Sequence, residues 1–334
     1  MMNRFIKQII QKYIKDSSKN FYEFYPEIDS DLKTSLKIFK NLDFQKILKN
    51  EEIRNKLDIL KKIKRLKCKN CEGSGYVFDQ FFSNIYRKFE KICQERPPSI
   101  PEFDQGFIKP KDVIKRVQFI YERGDLLNSK IIILGDDDLI SIALALTNLP
   151  QEIYVIEIDK RLTDFISKKS QKFKLPIKTL EYDARKPVPK YLLKKFDIFI
   201  TDPVETLNGL KIFLSRCMLC LKNNGAGYFG LTHLESSLKK WYALENFIIN
   251  SGFVITDIIK NFSVYPTMED KKDWGQFKEK LPIYKLSKNQ MTKEWYFSDF
   301  IRIEKIKNKK IENKEIKIGK KLYMDEETLA TPIV

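Results

Sequence analysis

Acidic side chains recur at one kind of place in this sequence, just after short apolar runs that read as strands. Asp136, Asp137 and Asp138 follow "KIIILG" (130–135), Glu157 and Asp159 close "EIYVIEID" (152–159), and Asp183 closes "IKTLEYD" (177–183). Asp202 ends "FDIFITD" (196–202) with Glu205 close behind, and "GAGYFGLT" (225–232) runs on into Glu235. The 334-residue chain has a formal net charge of +17, so this clustering of acids needs a reason. Neighbouring carboxylates raise one another's pKa and cost stability unless a cation compensates. Helix capping accounts for one acid of "GDDD". A divalent metal would suit oxygen-only ligands, and an organic polycation would suit them equally.

The loop after the first strand sharpens the choice. A glycine-rich loop there ordinarily offers bare N–H groups to a phosphate or carboxylate. Gly135 is followed instead by three carboxylates, which repel anions. A carboxylate after the second strand, Glu157 or Asp159, stands where nucleotide folds accept a ribose hydroxyl. Asp183 and Ala184 in "EYDAR" stand where such folds approach an adenine. "DPVET" (202–206) is similar to the (D/N)-P-P-(Y/F/W) motif of amino-group methyltransferases, in which an aromatic stacks the flipped base. Val204 and Glu205 occupy its last two positions, so a carboxylate replaces the aromatic. That exchange suits an aliphatic ammonium better than a base ring. With His233 the single histidine, a general base is expected among carboxylates, Lys or Tyr.

The elements that must position these acids follow from periodicity. Short apolar runs alternating with helices over 108–306, with further strands at 253–262 and 295–306, predict an α/β fold with a Rossmann-like doubly wound sheet. Ligands of such sheets sit beyond the carboxyl ends of the strands. Residues 1–107 predict a helical N-terminal domain with helices in 31–42, 51–66 and 81–94. "CKNCEGSGYVF" predicts a tight turn or hairpin, helices plus hairpin being similar to a winged helix. "RPPSIPEFDQGF" (96–107) reads as the linker, and 307–334 as a mobile tail.

Composition excludes some function classes. No apolar run approaches the ~20 residues that span a bilayer, and no signal peptide is evident, so a cytoplasmic protein is expected. The positive charge either gives non-specific nucleic-acid affinity or reflects the lysine-rich composition of heat-adapted proteins. Cys68 and Cys71 make half of a zinc knuckle, but a structural site needs four ligands and no second pair lies nearby. Cys217 and Cys220 share the spacing and read as helix core. No metal is expected.

"ILGDDDL", "DPVET" before a helix, "GLTHLESS" and "CKNCEGSGY" together resemble the branched-chain polyamine synthases, the N4-bis(aminopropyl)spermidine synthase family, over roughly residues 30 to 305. Val204 departs from the second proline expected there, and His233 stands where a basic residue is expected. The resemblance implies a methyltransferase/spermidine-synthase type of sheet and a homodimer. It also implies aminopropyl transfer from decarboxylated S-adenosylmethionine to the central secondary amine of spermidine, with 5′-methylthioadenosine released. Asp137, Asp136 and Asp202 would be catalytic, with Asp137 the leading base. Asp138, Glu205, Glu235 and, across the linker, Asp104 would bind polyamine, Asp138 being the acid best read as a cap. Gly135, Glu157, Asp159, Asp183 and Ala184 would bind the nucleoside. Asp325, Glu326 and Glu327 would either close over the polyamine or belong to a disordered end. Two other classes compete: an S-adenosylmethionine-dependent nucleic-acid methyltransferase and a winged-helix DNA-binding regulator. Acids at the mouth of the site repel phosphate and disfavour both.

Overall fold

Strands buried on both faces read as continuous apolar runs, and those of this chain are covered on both sides. In the computed structural model, which describes residues 4–15, 25, 28, 30–43, 46, 49–63, 68–71, 73–266 and 294–328, seven strands form one sheet. They are β1 (Lys130–Leu134), β2 (Glu152–Glu157), β3 (Ile177–Glu181), β4 (Phe196–Thr201), β5 (Leu221–Leu231), β6 (Phe253–Tyr265) and β7 (Tyr296–Lys305). Their order is β3-β2-β1-β4-β5-β7-β6. The pairs among β1 to β5 are parallel, and β7 lies antiparallel between β5 and β6. The order reverses between β1 and β4, which opens a crevice beyond their carboxyl ends. Every strand expected from the sequence is present, with ends shifted by a few residues.

The α-helices whose bounds lie among the described residues are α1 (Arg4–Lys15), α2 (Leu32–Asn41), α3 (Glu51–Arg54), α4 (Leu57–Lys62), α5 (Gln80–Cys93), α6 (Pro110–Glu122), α7 (Ile140–Ala145), α8 (Lys160–Phe173), α9 (Leu207–Cys220) and α10 (Leu238–Asn250). Alternation along each strand sends successive side chains to opposite cores. Ile131 and Ile133 join the core beneath α5, α6, α7 and α8, while Ile132 and Leu134 join the core of α9 and α10. The helix expected over 51–66 is broken into α3 and α4. Phe82, Ile85, Phe89 and Ile92 of α5, with Leu32 and Leu36 of α2, share the first core, so packing runs continuously past residue 107.

Two expectations change. The described residues of 68–78 form turns, and no paired strand of the expected wing is found among them. Gly73 and Gly75 at φ +88° and +81° keep reversing the chain there. The stretch 307–328 is laid against the second core rather than hanging from it. Leu322 is buried, Asn313 bonds both backbone groups of Val188, and Arg216 holds the Lys314 carbonyl at 2.7 Å. Among the described residues no helix is long and apolar enough to cross a membrane.

Close packing sets one test of the sheet. A Cβ on Gly227 would lie 2.1 Å from the Phe199 ring on the neighbouring strand. Gly227→Ala is expected to destabilise the fold by about 1–3 kcal/mol, read by denaturant titration, because an overpacked core must shift.

Candidate active site

Each acid is placed by the end of a strand. Gly135 turns the chain out of β1 at φ +74°, and Leu139 takes a left-handed conformation just before α7. Between these turns the three aspartates diverge. Asp136 is 1% exposed, and its Oδ1 accepts the Ser141 N–H at 3.3 Å. Asp138 is also buried, accepts the Ile108 N–H at 2.8 Å, and lies 3.5 Å from the Arg116 guanidinium. Asp137 alone is half-buried and lines the cleft. Its Oδ2 accepts the Gly106 N–H at 3.2 Å, and no hydrogen bond reaches its Oδ1 among the described residues.

The cleft encloses about 590 Å³ including its open mouth, and its lining is of two chemical kinds. Leu134, Ile158, Ala184, Phe213, Leu322 and Tyr323 supply apolar surface, and Glu157 and Asp183 stand in the same lining. Glu157 is fixed by the N–H groups of Asp136 and Asp159, at 2.9 and 2.8 Å. Asp104, Asp137 and Asp202 complete its acidic lining. Behind Asp202 stand Glu205, which accepts the Thr232 N–H at 3.0 Å, and Glu235, which accepts the Tyr296 hydroxyl at 2.6 Å.

Arg116 of α6, fully buried, lies against Asp202 and Asp138. It donates to Asp202 at 3.1 Å and is held by Ser263 and Ser298 from β6 and β7. Tyr265 also donates to Asp202, at 3.0 Å. Gly230 of β5 lets the sheet approach this carboxylate, since a Cβ there would sit 2.1 Å from Asp202 Oδ1. One cation does not neutralise the group. Burial, reinforced by Asp138 and Asp202, holds the Asp137 carboxyl well above the usual range. Burial, then Glu235 and Asp202, does the same to Glu205. Asp138 is pushed up to about 6 by burial, with Arg116 opposing. Burial and Asp202 also raise the Tyr265 phenol, so it stays a neutral donor.

Several site residues expected from the sequence therefore stand elsewhere. Asp136 and Asp138 do not line the cleft, and Asp138 is a partner of Arg116 rather than a helix cap. The carboxylate bonded into the first turn of α7 is Asp136, because the reversal at Leu139 turns Asp138 toward α6. Asp159 caps α8 and is engaged by Gln105 and Arg161, so it leaves the cleft wall to Glu157. Asp183 does line the cleft, paired to Arg185 at 2.6 Å. His233 stacks on Trp241 and lies 3.6 Å from Asp299, with burial lowering its pKa. Asp325 and Glu327 bind Lys240 and the first turns of α9 and α10. That leaves Leu322 and Tyr323 as the tail's contribution to the cleft.

The branched-chain polyamine synthase A C-terminal domain family matches residues 84–330. The chain belongs to the branched-chain polyamine synthase family. Among relatives of this family, the N(4)-bis(aminopropyl)spermidine synthase of Thermococcus kodakarensis is 41% identical over 272 residues, 79% of this chain and 74% of that one. The enzyme of the same name from Methanocaldococcus jannaschii is 40% identical over 269 residues, covering 79% and 75%. The branched-chain polyamine synthase structure from Thermus thermophilus, a complex with N4-aminopropylspermidine and 5′-methylthioadenosine, superposes with a TM-score of 0.81. It is 30% identical, with 97% of this chain and 93% of that chain covered.

The buried guanidinium gives a pH-dependent test. Removing it by Arg116→Met leaves Asp138 and Asp202 without their cation and is expected to cost about 3–5 kcal/mol at pH 8. The loss should shrink as pH falls through the raised pKa of Asp138, because protonation removes the charge that Arg116 offsets. Thermal unfolding at pH 5 and pH 8 measures the difference.

Proposed function

We propose that the chain moves aminopropyl groups from decarboxylated S-adenosylmethionine to the central nitrogen of spermidine, twice, giving N4-bis(aminopropyl)spermidine and 5′-methylthioadenosine. The observation that carries this reading is the position of Asp137. It stands half-buried in the wall of the cleft, with one oxygen unengaged among the described residues, in a lining that also holds Glu157, Asp183, Asp202 and apolar side chains.

The chemistry assigns roles to the walls. Glu157, with its carboxylate fixed by two backbone amides, keeps acceptor capacity for ribose hydroxyls. Asp183 and Ala184 face the adenine, and Phe213 and Tyr323 supply apolar surface. The sulfonium then lies toward Asp137. Asp202 and Asp104 line the cleft and hold ammonium groups of the polyamine, while Glu205 and Glu235, which stand behind Asp202 and do not line the cleft, add negative charge that those ammonium groups offset. Ordinary S-adenosylmethionine would place an additional carboxylate among them and is disfavoured by charge.

The free-base amine attacks the aminopropyl carbon that is bonded to sulfur. The new C–N bond forms as the C–S bond breaks, and its electron pair goes to sulfur as the neutral thioether. The proton of the resulting ammonium passes to the Asp137 carboxylate and restores a lone pair for the second transfer. That transfer leaves a quaternary nitrogen with no proton to lose. Orientation of the nitrogen by the surrounding acids supplies the rest of the acceleration. Phosphate repulsion by the same acids disfavours a nucleic-acid substrate.

A base must be ionised, so the rate is lost as pH falls through the raised pKa of the Asp137 group. The acid limb of kcat/KM is expected above the ordinary aspartate value of about 4, and it belongs to the coupled carboxylates jointly. Asp137→Asn is expected to lower kcat by on the order of 10²–10⁴ while the fold persists. Mass spectrometry of the polyamines after incubation with spermidine and decarboxylated S-adenosylmethionine checks both statements. No gain of aminopropyl units by the folded wild-type protein would overturn the assignment, and near-normal transfer by the variant would remove Asp137 from the role of base.

A further inference from the structure

The proline-rich stretch 96–107 is not a bare connector, because the chain there supplies donors to the loops that follow β1 and β2. The Gly106 N–H donates to Asp137 Oδ2 at 3.2 Å, and the Ile108 N–H to Asp138 at 2.8 Å. Gln105, buried, donates to Asp159 at 3.0 Å, while its side-chain carbonyl accepts the Ile100 N–H at 2.9 Å. Phe107, between the two backbone donors, is also buried, and the Arg96 guanidinium lies over its ring at 3.3 Å. A cation over an aromatic face is attracted by the charge distribution of the ring. The same guanidinium donates from Nη1 to the Asp137 carbonyl at 3.2 Å. Arg96 therefore grips the backbone of Asp137 and the neighbour of the amide that holds the Asp137 carboxylate.

Arg96 stands three residues past α5, whose Phe89 and Ile92 are buried in the first core, and its N–H donates to the Cys93 carbonyl at 3.1 Å. The acids nearest to it in sequence are engaged elsewhere. Glu90 accepts the Tyr86 hydroxyl, and Glu95 pairs with Lys169 at 2.6 Å. Charge around Asp137 comes from several elements. Burial, then Asp138 on its own loop, Asp202 after β4 and Glu157 at the end of β2, raise its pKa, and Arg96 opposes them. Asp104 stands in the same cleft lining, and Arg116 is held by Asp138 and Asp202. Burial pushes the Cys93 thiol up to about 12, so it brings no charge to Arg96.

We propose, on the reading of Asp137 as the base, that Arg96 is a positioning residue for aminopropyl transfer: bonded to the Asp137 carbonyl and stacked on Phe107, it fixes the direction in which the Asp137 carboxylate points. The Gly106 N–H holds one carboxylate oxygen, so the other is the one presented to the substrate amine. A group that takes a proton in the transition state must stay within hydrogen-bond reach of it. A misplacement on the order of 1 Å costs about a hundredfold in rate. Arg96 does not itself line the cleft and acts through Asp137.

The test uses the full chain and compares the wild type with Arg96→Met, Arg96→Lys and Asp137→Asn, reading kcat and kcat/KM against pH from the polyamine products. Both Arg96 substitutions keep an aliphatic stem over Phe107, and thermal unfolding checks that the fold persists. In Arg96→Met, kcat is expected to fall about tenfold to a hundredfold, while KM for each substrate changes by less than about threefold. Its acid limb is expected to move up by on the order of one pH unit, because the opposing cation is gone. Lysine keeps the charge but not the planar face, so Arg96→Lys should hold the limb at its wild-type position with kcat still below wild type. A side chain that only supported the fold would lower activity together with thermal stability and leave the limb in place. An unmoved limb in Arg96→Met, an equal movement in Arg96→Lys, or a wild-type kcat in either would overturn the role of Arg96. Asp137→Asn separates this role from the assignment of the base. Near-normal transfer by that variant removes the base and the role of Arg96 with it, whereas its inactivity beside any of those results removes Arg96 alone. Should Arg96→Met fail to fold, the kcat of Arg96→Lys decides.

Discussion

The site depends on one buried cation. Arg116 reaches from α6 to the junction of β4, β6 and β7, where Asp202, Ser263 and Ser298 accept its hydrogen bonds and Asp138 lies beside it. Its guanidinium also lies over the Phe300 ring at 4.8 Å. A lysine would offer a point charge, whereas the planar fork of arginine addresses several acceptors at once. By fixing Asp202 at the end of β4 and Asp138 in the loop after β1, it sets the spacing across the crevice. It compensates part of the local negative charge and leaves the rest directed at the cleft.

That residual charge costs stability unless a cation answers it. Glu205 Oε2 and Asp136 Oδ2 are buried without a hydrogen-bond partner. Such groups cost free energy in any fold that keeps them. A polyamine brings ammonium donors to the cleft acids, so binding should stabilise the folded state by mass action. Tyr265 and Tyr296, packed edge-to-face at 5.0 Å, supply neutral donors to Asp202 and Glu235 and keep these carboxylates aimed. Lys240 performs a related task behind the site, donating to the carbonyls of Glu205 and Glu235 while pairing with Asp325 of the C-terminal segment.

Much of this was legible in the sequence because strand periodicity and strand-end acids are local signals. The seven strands, the switch point and the convergence of Asp137, Glu157, Asp183 and Asp202 on one cleft follow from them. What divided the three aspartates was not local. The left-handed turn at Leu139 and the distant partners Ile108 and Arg116 decide that Asp138 points inward. Arg116, Tyr265, Tyr296 and Lys240 were invisible as site residues because each sits in an ordinary helix or strand pattern with partners in remote segments. The C-terminal stretch misled for the opposite reason. Its lysine-rich composition resembles a loose tail, yet a few apolar residues and the carbonyl contacts of Arg216 suffice to dock it.

The central claim is that a carboxylate cluster, spaced by Arg116, makes the cleft select a nucleoside that carries a cation and lacks a carboxylate. Calorimetric titration of the wild-type protein at pH 8 with decarboxylated S-adenosylmethionine and with S-adenosylmethionine tests it most directly. The account predicts at least a tenfold preference for the decarboxylated form, about 1.4 kcal/mol, shrinking when Asp202 is replaced by Asn. Equal affinity for the two compounds would contradict it.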